Sequence, residues 1–208
     1  MVNTKTDQLL RLARRGPLRA RDLDAAAIPR TYLKRLTERN LLEHVGRGLY
    51  RVPDANVTEL HALAEVQKRV PQATVCLLSA LQVHGLTTEL PHAVWIMIDS
   101  HARAPKLDTP ALEVVRAHGS ARDHGVTRRT IDGVTVAITS PAKTVADCFR
   151  YRRHVGLDVA LAALRAYLEK ARAPSRRRSA DYTIDALVEA SRASRILSVV
   201  RPYLDALA

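Results

Sequence analysis

The sequence predicts an α+β chain: a small N-terminal helical domain closed by a β-hairpin, then a larger mixed α/β domain that ends in helices. Three observations predict it. Within the first 53 residues, short segments carry apolar side chains at helical spacing, and Glu43 to Val52 reads as a tight hairpin turning at Gly46-Arg47-Gly48. Beyond them helix and strand patterns alternate, and from Leu157 onward the patterns are helical.

The first helix is expected over Thr4 to Arg15, where Leu9, Leu10, Leu12 and Ala13 form an apolar face. Gly16-Pro17 ends it. Leu18 should lead into a second short helix, Ala20 to Ala26. A third should start at Pro29, whose missing N–H needs no partner in a first turn. Its Tyr32, Leu33 and Leu36 would face inward, leaving Arg30, Thr31, Lys34, Arg35 and Glu38 outside. The glycines at the hairpin tip tolerate positive φ. The polar stretch Pro53-Asp54-Ala55-Asn56 marks the expected boundary, giving domains of residues 1–53 and 54–208.

In the second domain, Thr58 is the expected N-cap of a helix running to Arg69. Val75 to His84 should be mostly helical, closed by Gly85. Ala93 to Ile98 and Leu112 to Arg116 are strand candidates. Gly125 to Thr130 and Val134 to Ile138 form a hairpin pattern turning at Asp132-Gly133. Ser140-Pro141 opens a helix reaching about Arg150, and Leu157 to Lys170 is amphipathic. Ala173 to Ser179 is a basic linker whose Arg176-Arg177-Arg178 either touches phosphate or is simply solvated. Thr183 to Ala190 and Ala193 to Leu207 are the closing helical patterns, with Pro202 expected to kink or split the last.

Hydrophobic residues make up 47% of the chain, enough for a sizeable core, but aromatics are only 4%, so Leu, Val and Ala must fill it. The 33 Lys and Arg against 21 Asp and Glu leave a formal +12, which favours a polyanionic partner. Residues 1–53 hold 12 basic against 5 acidic side chains, a net +7 in about a quarter of the chain. No apolar run approaches the roughly 20 residues that span a bilayer, and Met1 to Asp7 lacks the apolar core of a signal peptide. A cytoplasmic protein with no membrane partner is therefore expected. Cys76 and Cys148 sit in apolar stretches, as buried thiols rather than a disulfide or metal site.

A basic helix followed by a basic hairpin is the winged helix-turn-helix pattern, and it points to double-stranded DNA. The third helix would enter the major groove, where Arg30, Thr31, Lys34 and Arg35 could reach guanine edges or phosphates. Arg47 at the wing would meet the minor groove or a phosphate, and Arg19, Arg21 and Arg51 would hold the backbone. The alternatives are a solvated basic face or a protein-interaction module.

Catalytic patterns are weaker. Ser79 and His84 are five apart on one helix and do not converge, so a packing helix with His84 satisfied locally is the simpler reading. Ser140-x-x-Lys143 matches a nucleophile motif formally, without companion motifs. Lys143 and Asp147 could pair across one turn. Asp99 with Glu113 is the one tempting carboxylate pair for a nuclease-like metal site, with Lys106 or Lys143 as a displaced lysine. The histidines are scattered without zinc-ligand spacing. A non-enzymatic protein without cofactor or metal is expected, with a winged helix fused to a nuclease-like domain as the alternative.

Four ordered stretches carry a family resemblance: Gly46 to Pro53; Cys76 to Leu81 through His84-Gly85-Leu86; Ile131-Asp132-Gly133-Val134; and Ser140 to Asp147. Together they resemble the AbiEi antitoxins, the regulatory half of type IV AbiE toxin–antitoxin systems. The resemblance implies a repressor of its own operon, bound through the winged domain to inverted repeats at the promoter. It implies that the C-terminal domain counteracts a nucleotidyltransferase-type toxin without forming a stable complex with it. Lys143 occupies the family's arginine slot, which keeps the charge but loses the planar fork. A monomer or weak dimer that pairs on DNA is expected, and a stand-alone regulator is the other regulatory reading.

Overall fold

The computed structural model describes residues 4–46, 48–53, 60–173 and 182–207. The chain divides into two compact units, residues 1–71 with 130–136 and residues 72–129 with 137–208. The first unit thus runs past the 1–53 segment to include a helix ending at Arg69 and the tip of a hairpin. Residues 54–56 of the expected boundary and the expected cap Thr58 lie outside the described residues.

The first unit is a winged helix-turn-helix: α1 Thr4–Arg15, β1 Leu18–Arg19, α2 Ala20–Ala25, α3 Thr31–Glu38, β2 Glu43–Gly46 and β3 Leu49–Arg51, then α4 His61–Arg69. Leu18 enters a strand before α2, not the helix itself, because β3 offers it an open edge: Leu18 stands opposite Tyr50 and Arg19 opposite Leu49. The sheet order is β1-β3-β2, antiparallel throughout. The helix spacing seen in the sequence builds the core, where Leu9, Ala13, Leu18, Leu23, Ile28, Leu33, Leu36 and Leu42 pack together. At about 1.5–3 kcal/mol for each large side chain buried, this cluster is what holds three short helices that would not persist alone. α3 begins at Thr31, not at Pro29. Pro29 and Arg30 instead form the entering turn, their carbonyls accepting from Tyr32 and Leu33 N–H at 3.1 and 3.0 Å.

The second unit contains β4 Thr74–Val75, α5 Leu77–His84, β5 Val94–Asp99, β6 Leu112–Ala117 and α6 Ser120–Asp123. The hairpin β7 Val126–Ile131 and β8 Val134–Thr139 follows, its tip belonging to the first unit. Then come α7 Pro141–Arg150, α8 Arg152–Val155, α9 Leu157–Arg172, α10 Ile184–Ala193 and α11 Leu197–Leu207. The sheet order is β6-β5-β4-β8-β7, with β5 parallel to β6, β4 parallel to β8 and β4 antiparallel to β5. Val75 is a strand residue, not part of the expected helix; it pairs with both Ile96 and Ile138, and α5 starts two residues later. Gly85 caps α5 in the left-handed conformation.

α7 is the centre of this unit. It is capped by Ser140 with Pro141 in its first turn, and every residue from Pro141 to Phe149 is buried. It packs against α5, α9 and α10 in a core that includes Trp95, Phe149, Leu164 and Tyr167. Cys76 and Cys148 are free and buried, and burial pushes both thiols up. The final helix is continuous through Pro202; the break falls at Ser194 to Ile196, where Arg195 takes a positive φ of 53°. Among the described residues no helix is long and apolar enough to cross a membrane.

Candidate nucleic-acid interface

α3 presents its basic face outward. Leu33 and Leu36 are buried, and that rotation leaves Thr31, Lys34, Arg35 and Glu38 exposed on the opposite side. Lys34 is 84% exposed and reaches Glu38 only at 3.8 Å. Arg35 makes no ion pair among the described residues. Arg39, at the end of the same helix, is also exposed.

Arg30 is placed differently. It clasps Asp24 across the turn between α2 and α3 with two hydrogen bonds, Nε to Oδ1 at 3.0 Å and Nη2 to Oδ2 at 2.5 Å. The bond to Arg30 holds the Asp24 carboxyl below its usual range and the guanidinium above its own. Both side chains are more than half exposed, so this pair contributes little in water and can be exchanged for a phosphate. The turn it spans is closed by the Ile28 N–H donating to Leu23 O at 3.0 Å, with Ala27 at a φ of 52°.

The candidate backbone contacts divide. Arg21 is exposed in the first turn of α2. Arg19 is half-buried as the N-cap of α2, and burial together with the neighbouring Arg21 lowers its guanidinium pKa. Arg51 lies across the hairpin from Glu43 and pairs with it, so its charge is matched within the wing. Arg47 lies outside the described residues. Around it the wing is braced by a cross-strand His44–Tyr50 edge contact at 5.1 Å and by the Gly48 N–H donating to His44 Nε2 at 3.3 Å.

Local sequence patterning missed what holds this surface in place. Lys68 of α4 donates to Asp22 of α2 at 2.7 Å, and the Arg19 N–H donates to the same carboxylate oxygen at 2.9 Å. Burial alone would raise the Asp22 carboxyl, but these two bonds hold it below its usual range. Arg69 pairs with Glu65 at 3.0 Å and donates to the Val45 carbonyl of the wing at 3.2 Å. Its guanidinium passes where a Cβ on residue 46 would sit, so a side chain there would displace Arg69. Contacts spanning 46 and 24 residues leave no local pattern to find.

Residues 7–53 match a family model described as transcriptional regulator, AbiEi antitoxin. The match covers the winged segment and stops at the end of the wing. No curated protein matches the chain.

The candidate catalytic groups do not converge. Glu113 stands opposite Trp95 and Asp99 opposite Ala117, so the two carboxylates are four residues apart along paired strands, roughly 13 Å at about 3.3 Å per residue. No divalent ion bridges that distance. Asp99 instead accepts from the His101 N–H at 2.9 Å, which lowers its pKa. Ser79 Oγ accepts from the Trp95 N–H at 3.0 Å, while the His84 ring meets the Thr139 carbonyl at 2.7 Å. The His84 ring thus has a partner 55 residues away in the sequence. Ser140 Oγ accepts from the Lys143 N–H as a helix cap. The Lys143 ammonium is fully buried, bonded to the Ala121 carbonyl at 2.7 Å and the Asp147 carboxylate at 2.9 Å, with Ser194 Oγ at 3.5 Å. Three donors on one nitrogen meet three partners, which is how lysine fills a position where the family resemblance expects an arginine.

Proposed function

We propose that this AbiEi-type regulator is a cytoplasmic, non-enzymatic DNA-binding repressor that autoregulates a toxin–antitoxin operon. Residues 1–53 are the DNA-binding domain. They bind double-stranded DNA at inverted repeats in the promoter, with Thr31, Lys34 and Arg35 in the major groove and Arg47 at the wing. Arg21 holds a phosphate, Arg19 and Arg51 sit closer to the framework, and Arg30 opens from Asp24 when a phosphate arrives. Residues 54–208 act as the antitoxin-type domain, opposing a nucleotidyltransferase-type toxin without a stable complex. That part rests on the ordered motifs from Cys76 to Asp147.

The observation that carries the DNA reading is the outward face of α3, with Lys34 and Arg35 exposed and, among the described residues, no carboxylate closer to Lys34 than Glu38 at 3.8 Å. Gel shifts with promoter DNA across salt concentrations test it. Lys34→Ala with Arg35→Ala should weaken binding about tenfold or more and lower the salt slope by about two. Wild-type affinity and slope in that variant would show that α3 does not face DNA.

A further inference from the structure

The second unit carries its own basic face, made where four separate segments meet. Arg116, at the end of β6, donates through Nη1 to the carbonyls of Ser100 at 3.3 Å and Ala102 at 2.5 Å. Its own carbonyl accepts from the Tyr151 hydroxyl at 2.7 Å. Arg150 lies over the Tyr151 ring at 5.7 Å and donates to the Ser194 carbonyl at 2.5 Å. Ser120 Oγ, two residues before Arg122 in α6, donates to the Ala193 carbonyl at 3.2 Å. These bonds join the end of β6, α6, the start of α8 and the α10–α11 junction into one surface. Arg153 follows Arg152 in α8, and Arg192 and Arg195 flank the Ala193 and Ser194 carbonyls that accept these bonds; all three are exposed.

Two features mark this face as uncompensated charge. Arg116, Arg150 and Arg152 are held by backbone carbonyls, which satisfy their N–H groups without neutralising them. Among the described residues of this face, Arg122 alone is ion-paired, with Asp99 at 3.7 Å and Asp123 at 3.5 Å, while the Arg150 charge also acts on the buried Asp147. The described residues of this unit contain 16 Lys and Arg against 11 Asp and Glu. This face holds seven of the former and two of the latter, so the remaining nine and nine cancel. Among the described residues, the unit's excess of basic charge sits on this face. Arg195 also keeps a left-handed φ of 53°, a conformation that costs a non-glycine residue free energy and that clusters at functional positions.

We propose that this face is a second nucleic-acid-binding surface, and that it grips the phosphate backbone of duplex DNA without reading bases. Arginine forks suit phosphate oxygens. Tyr151 is half-buried with Arg150 over its ring and its hydroxyl engaged, so it offers no open platform to an unstacked base. Duplex backbone therefore fits better than single-stranded RNA. The face lies in a different unit from α3 and stands whether or not α3 binds DNA.

The test uses the full chain and a 30-base-pair duplex of arbitrary sequence, titrated at several salt concentrations. The variant is Arg153→Ser with Arg192→Ser and Arg195→Asn; asparagine tolerates the left-handed backbone. Arg153→Glu alone serves if the triple variant unfolds, and the Lys34→Ala, Arg35→Ala variant runs in parallel. The triple variant should melt like wild type, lose about tenfold or more in affinity and lower the salt slope by about 2–3. Loss there with wild-type behaviour of the α3 variant would support this face while removing the role of α3. A folded triple variant with an unchanged slope overturns the proposal, whatever the α3 variant does. A slope change confined to duplex RNA overturns the assignment to DNA.

Discussion

At the scale of single residues, the buried pair Lys143–Asp147 shows how far position outweighs pattern. Its i, i+4 spacing is readable in the sequence, and on an exposed helix such a pair contributes a few tenths of a kcal/mol. In the structure both side chains have zero exposure. Burial raises the Asp147 pKa, against the opposing effects of Lys143 and Ser194. The partners that make burial tolerable, the Ala121 carbonyl and Ser194, are 22 and 51 residues away, so no local pattern could announce it. Asp147→Leu, which strands a buried ammonium, should destabilise the protein by about 3–5 kcal/mol in urea unfolding. Adding Lys143→Met should recover most of that loss. In Lys143→Met alone, Asp147 has lost its cation, so its pKa in the folded state rises further. The folded state then binds the proton more tightly than the unfolded state, and stability should increase as pH falls from 8 to 5. A double variant as unstable as Asp147→Leu would show that the pair is not the source of the cost.

At the scale of elements, the turn chemistry was legible and the packing partners were not. Asp132-Gly133 joins β7 to β8 as a two-residue turn with φ of 44° and 71°, as the sequence suggests. What the sequence does not show is that this tip packs within the first unit, where His61 Nδ1 meets Asp132 Oδ2 at 2.8 Å. A Cβ at Gly133 would strike the backbone of Arg15 at the end of α1. Gly48 has a similar φ of 68° but open space around it. Gly48→Ala should therefore cost only the backbone term, about 1 kcal/mol, and Gly133→Ala that term plus a displaced helix end, about 2–3 kcal/mol or more. Chemical denaturation separates them, and equal losses would remove the tip contact from the account. Helices α1 and α9, the hairpins and the Ser140 cap were readable because local periodicity, glycine and proline specify them. β1 and β4, two residues each, were not, because they exist only where a neighbouring strand lends them an edge. The outward face of α3 was readable for the same reason as α1, since two leucines fix which side is buried. The clasps from Asp24 and Lys68 that steady it depend on contacts 6 and 46 residues away, and were not readable.

At the scale of the whole molecule, the formal +12 governs how the chain meets a polyanion, and a single winged domain decides how many copies must do so. α3 has eight residues, two turns of helix, so one domain touches only a short run of base pairs. An interface of that size buries little surface, and phosphate contacts alone give affinity without sequence preference. Under the proposed function, specific repression would therefore take two chains on the paired half-sites of the inverted repeat. Two-fold pairing works only if both recognition helices reach the same face of the duplex, which sets the half-site spacing near one helical turn of roughly 10 base pairs or a multiple of it. Inserting about five base pairs between the repeats rotates one site to the opposite face. The wild-type promoter fragment should bind two chains with positive cooperativity in a gel shift or by sedimentation. The insertion should abolish that cooperativity while leaving single-site binding and its salt slope intact. Unchanged cooperativity after the insertion would mean that the chains do not pair through a fixed geometry. Occupancy by one chain on the intact promoter would mean that a single winged domain suffices, and repression would then have to draw its specificity from elsewhere in the chain.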